Sequence, residues 1–116
     1  MSENPAASQV SVVHSKVCTS GDAVCLMGNL QRQDFKLFEQ ACAQLRESPA
    51  HAVTLDLTRC TYVSSLTIGI LVDAVTEMKA LGKEVRVLVS PKVARFLHLA
   101  HLYHLFSYEI AEPDPS

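Results

Sequence analysis

Two adjacent serines, Ser64 and Ser65, stand directly before a long helical run. A hydroxyl at a helix N-terminus can do two kinds of chemistry. It can cap, accepting a hydrogen bond from a backbone N–H that the helix leaves unpaired, which contributes about 1 kcal/mol. It can also carry a phosphate, because free N–H groups and the helix dipole tolerate an anion there while the surface changes by nearly two charges. His98, His101 and His104 are spaced three residues apart and, with a cysteine or His51, invite a metal reading. Steps of three drift around a helix instead of holding one stripe, so no metal site is expected. Their neighbours Leu97, Leu99, Leu102 and Leu105 are expected to do the packing. A serine hydrolase needs a nucleophile elbow of the G-x-S-x-G type, which the residues around Ser65 lack. No GxxxxGK[ST] or GxGxxG pattern offers a phosphate cradle for a nucleotide. Asp56 is expected at a strand end, accepting backbone N–H bonds. Cys60, in the loop before Ser64, is the thiol to test for reactivity, with a structural role expected. Neither an enzymatic reaction nor a cofactor is expected.

The elements that must position the serines follow from hydrophobic spacing. Val10, Val12, Val13 and Val17 form one β-branched run and Ala23 to Met27 a second, separated by the turn signal Ser20-Gly21-Asp22, which reads as a hairpin. Phe35, Phe38, Ala41, Cys42 and Leu45 recur at helical spacing over about Arg32 to Arg46, closed by Pro49. Ala52 to Leu57 reads as a short apolar strand. Leu66 to Leu81 reads as a helix closed by Gly82, and Val85 to Val89 as the next strand. Ser90 can cap a helix with Pro91 in its first position, running to about His101. A last strand is expected near Phe106 to Ile110. The order β-β-α-β-α-β-α-β predicts an α/β fold with a mixed sheet of four to five strands and helices mainly on one face. Residues 1–8 and 112–116 read as frayed tails around a single domain over residues 9–111.

In the second helix, Ile68, Leu71, Val75 and Met78 share the core face, while Ser65, Gly69, Val72 and Thr76 share the opposite one. An outward face is usually charged. This one is small and uncharged near the serines, flanked by Asp73 and Lys79, and reads as a docking patch. Val72→Glu is therefore expected to abolish docking without disturbing the fold.

Composition bounds the rest. The chain has 116 residues, a net charge of −2 and 48% hydrophobic residues, enough for one packed core and too apolar for wholesale disorder. Without a Lys/Arg cluster it has little to grip a nucleic-acid backbone or an anionic membrane. No stretch approaches the roughly 20 apolar residues of a membrane span, and Met1 to Pro5 carries no basic leader, so a cytoplasmic protein without direct membrane insertion is expected. Cys18, Cys25, Cys42 and Cys60 form no CxxC pair and read as reduced, mostly buried residues.

The stretch Leu55-Asp56-Leu57-Thr58-Arg59-Cys60-Thr61-Tyr62-Val63-Ser64-Ser65-Leu66-Thr67-Ile68-Gly69-Ile70-Leu71 resembles the STAS family, typified by bacterial anti-sigma factor antagonists. Asp56-Leu57-Thr58 matches the family's strand end, and Ser65 falls on the serine that a partner kinase phosphorylates. Leu81-Gly82-Lys83 and Leu97 through Phe106 extend the resemblance over roughly residues 10–111. Ser64 replaces the motif's Asp, Thr67 its first Gly, and His101 stands where the family often has Gly. The resemblance implies a non-enzymatic regulatory protein, an anti-sigma factor antagonist whose binding to an anti-sigma serine kinase responds to phosphate on Ser65, with Ser64 the second candidate. Ser64, Ser65, Thr67, Gly69, Val72, Asp73 and Thr76 are its expected partner-binding residues. The alternatives it implies are a cytosolic accessory subunit docked on the ATPase of a phospholipid transporter, and a stressosome-type scaffold subunit. A second copy of the chain is a further candidate partner.

Overall fold

The computed structural model describes residues 12–14 and 16–112, and the structural statements below concern these. The expected N-terminal tail, Val10 and residues 113–116 lie outside them. Six strands form one sheet in the order β1-β2-β3-β4-β5-β6: β1 Val12–His14, β2 Val17–Ser20, β3 Ala23–Asn29, β4 Ala52–Tyr62, β5 Glu84–Val89 and β6 Glu109–Ile110. Three helices connect the parallel strands, α1 Arg32–Glu47, α2 Ser65–Ala80 and α3 Pro91–Leu99. β1, β2 and β3 pair antiparallel, and β3 to β6 pair parallel. The α/β class, the mixed sheet and the element order agree with the sequence reading. A strand is added because the first β-branched run supplies two strands, β1 ending at His14 and β2 starting at Val17.

Alternation sorts the sheet into two faces. Val17, Val24, Leu26, Val53, Leu55, Leu57, Val87 and Val89 are buried, and Phe38 and Leu45 of α1, Leu71 and Met78 of α2 and Leu97 of α3 pack into the same core. On the other face Cys18, Cys25, Asp56 and Leu88 stay half-buried, so the sheet is covered by its helices on one side. Consecutive parallel strands lying side by side require this when each crossover is right-handed. It also brings the N-termini of α1, α2 and α3 to one end of the domain, at the C-terminal ends of the parallel strands. Arg46 of α1 and Glu77 of α2 bridge the helices at 2.9 Å.

Three boundaries differ from the sequence reading. β4 runs to Tyr62 instead of stopping at Leu57, which places Cys60 in a strand and not in a loop. Its pairing to β3 shifts register between Cys25/Met27 and again between Gly28/Asn29. These irregularities put Leu57 and Thr58 inside in succession and hide the alternation. The helix expected to reach His101 ends at Leu99, with His101 at φ 60. The last strand has two residues, because Phe106 turns into the core instead of pairing.

Candidate functional site: the N-terminus of α2

β4 delivers the chain to α2 through two residues only. Val63 is buried and anchors the link; Ser64 is the N-cap, in extended conformation. The Ser64 Oγ accepts from the Thr67 backbone N–H at 3.2 Å and lies 3.1 Å from the Thr67 hydroxyl. Asp56, upstream in β4, is held in the same local way: its Oδ1 accepts from the Thr58 N–H at 2.8 Å and the Thr58 hydroxyl at 2.7 Å. It accepts a backbone N–H as expected, but at a bulge within the strand and not at its end.

This geometry separates the two serines. The half-buried Ser64 spends its hydroxyl on capping, whereas Ser65, at the first helical position, is exposed. Of the expected docking residues, Ser65, Gly69, Asp73 and Thr76 lie exposed along one side of α2. Thr67 is not among them: at 2% exposure it is buried, turned inward on the Thr67, Leu71, Ala74 and Met78 stripe and tied to the cap. Val72 is half-buried and packs against the core, so Val72→Glu would strain the fold itself and is not a clean test of docking.

Two residues that sequence reasoning missed complete the surface. Tyr62 and Leu66 flank the serines at 54% and 55% exposure. The Tyr62 ring lies 6.0 Å, centroid to centroid, from that of half-buried Phe96 of α3. Their signal was available: a large apolar residue in the first turn, where a capped helix end faces solvent, has no core to enter. The first turn of α2 carries no acidic residue, so the N-terminal end of this helix is apolar and hydroxyl-rich.

The other chemical candidates are quiet. Burial pushes the Cys60 thiol up to about 12, with Cys25 and Asp56 adding to the shift, and its Sγ is 3.7 Å from the Leu26 carbonyl. Such a thiol is not a nucleophile at neutral pH. His98, His101 and His104 are exposed; Leu97 is buried and Leu102 half-buried, but Leu99 and Leu105 are exposed and do not pack as expected. Among the described residues no three His, Cys, Asp or Glu side chains are grouped to hold a metal ion, and no helix is long and apolar enough to cross a membrane.

A strand–cap–helix site on a singly covered mixed sheet defines a class of binding domain. Residues 18–107 match the family model described as Mlab, STAS domain, and the chain belongs to the STAS domain family. No curated protein matches it. Domains of this family are typically binding and regulatory modules that work by protein–protein contact.

Proposed function

We propose that this protein is a cytoplasmic docking subunit that binds a protein partner through the N-terminal end of α2, and that its partner is the ATPase of a phospholipid transporter. The observation that carries the docking surface is the pair of large apolar side chains, Tyr62 and Leu66, held more than half exposed beside the cap. Burying the exposed half of each on a partner would recover about 1 kcal/mol apiece, a useful contribution from each side chain to an interface. The choice of partner is supported by the description of the matching family model, Mlab, and by Ser64 at the N-cap, the position at which the resemblance to kinase-regulated antagonists calls for the motif's Asp.

One observation favours a second reading, the anti-sigma factor antagonist: Ser65 is exposed and free of the capping bond that occupies Ser64. On that reading, phosphate on Ser65 would release a serine-kinase partner by charge and desolvation. Co-purification with each partner type, using the parent, Leu66→Glu, Ser65→Ala and Ser65→Asp, separates the two. The docking surface predicts that Leu66→Glu loses the partner while circular dichroism stays unchanged; undiminished binding would move the interface elsewhere. Loss with Ser65→Asp but not Ser65→Ala supports the switched antagonist, and equal retention by both supports the constitutive subunit.

A further inference from the structure

The opposite end of the domain holds a second cluster. α2 ends in a turn carrying Lys79 and α3 in a turn carrying His98, and the loop to β6 brings Tyr103, His104, Ser107 and Tyr108 against them around an open cleft of about 600 Å³. Tyr103 is the hub: its ring is 5.1 Å from that of His98 and edge-on to His104 at 5.7 Å. Lys79, His98 and His104 come from three separate segments, and no carboxylate lines the cleft. That is a local departure in a chain whose net charge is −2.

Basic residues in the last turn of a helix are ordinarily explained by the free carbonyls there. Here the backbone closes both helix ends. In α2 the Gly82 N–H donates to Lys79 O and the Lys83 N–H to Met78 O; in α3 the His101 N–H donates to His98 O and the Leu102 N–H to Leu97 O. Gly82 at φ 85 and His101 at φ 60 supply the left-handed residue that each closure requires. The side chains of Lys79, His98 and His104 have no hydrogen bond or ion pair among the described residues. They are left as exposed donors lining one cleft.

We infer that this cleft binds a phosphate group. A carboxylate, with two oxygens in one plane, can satisfy at most two of the three nitrogen centres directly; a dianion with three terminal oxygens can take the ammonium and two imidazole N–H donors together, with the Ser107 and tyrosine hydroxyls beside them. Along α2 the cleft lies about 21 Å from Ser65, at 1.5 Å per residue, so its occupant would leave the proposed docking end free.

The test is an NMR titration of the full chain with sodium phosphate and, separately, phenyl phosphate, against sodium chloride at matched ionic strength. Saturable shifts of the His98 and His104 imidazole signals are expected in the millimolar range. The double variant Lys79→Gln/His104→Gln, altered only at exposed positions, should bind about tenfold more weakly or worse while keeping its thermal midpoint. Tighter binding of phenyl phosphate would identify an esterified ligand stacked near Tyr103, and equal binding free phosphate. Shifts reproduced by chloride, no saturation, or a variant that binds like the parent would overturn the site. Because the readout is the imidazoles, failure here would leave the docking reading at Ser65 untouched.

Discussion

At the residue scale the site turns on Ser64. An Asp in its place would cap α2 equally well and add a negative charge beside the helix N-terminus; Ser keeps the cap and omits the charge. Ser64→Ala should cost about 1 kcal/mol of stability, since the Thr67 N–H would lose its acceptor, whereas Ser64→Asp should leave stability unchanged or slightly higher; urea denaturation of the three proteins measures both. The cap also explains why Thr67, expected on the docking surface, is buried. Thr67 lies on the Thr67, Leu71, Ala74 and Met78 stripe, which satisfies helical core spacing as well as the stripe through Ile68 and Val75, and only its place in the motif argued for the outside. Its hydroxyl goes inward because the cap gives it a partner.

At the scale of elements, what repeats regularly was legible and what breaks the repeat was not. α1 spans Arg32–Glu47, close to the Arg32 to Arg46 read from its apolar spacing, and Ser90-Pro91 opens α3 as expected, the Ser90 Oγ accepting from the Val93 N–H at 3.1 Å. The upper half of β4 is hidden in the sequence because a register shift removes the two-residue period, although Thr58, Thr61 and Tyr62 are good strand formers. Tyr62 and Leu66 carry no periodic signal, because one is the last residue of its strand and the other lies in the first turn of its helix, where spacing does not define a buried face. The end of α3 carries a prediction. His101 pays for a left-handed backbone that glycine adopts freely, so His101→Gly should raise stability by up to about 1 kcal/mol, read as an increase in the thermal midpoint.

For the whole molecule, burial sets a pH limit. Desolvation is the main cause that lifts Cys25 to about 11 and Cys42 and Cys60 to about 12, from an ordinary 9.0; the Asp56 carboxylate adds to it at Cys25 and Cys60. A folded value raised above the unfolded one leaves this stability intact below pH 9. It is lost as pH climbs from 9 towards 12, because the unfolded chain releases protons that the folded chain retains. The thermal midpoint should therefore fall between pH 9 and 11, and fall less steeply in Cys42→Ala, a comparison that separates the thiols from lysine and tyrosine titration. The sheet is also unevenly knit around its longest strand. β5 accompanies β4 only as far as Leu57, and beyond that point Met27, Gly28 and Asn29 of β3 are the ladder partners. Amide hydrogen exchange should therefore show weaker protection at Arg59, Thr61 and Tyr62, where β4 is paired on one side, than at Val53 to Leu57, where it is paired on both. The end that presents Tyr62 and Ser65 is the shallow end of that gradient, where a bound partner would act as the missing neighbour and raise the protection of amides it never touches.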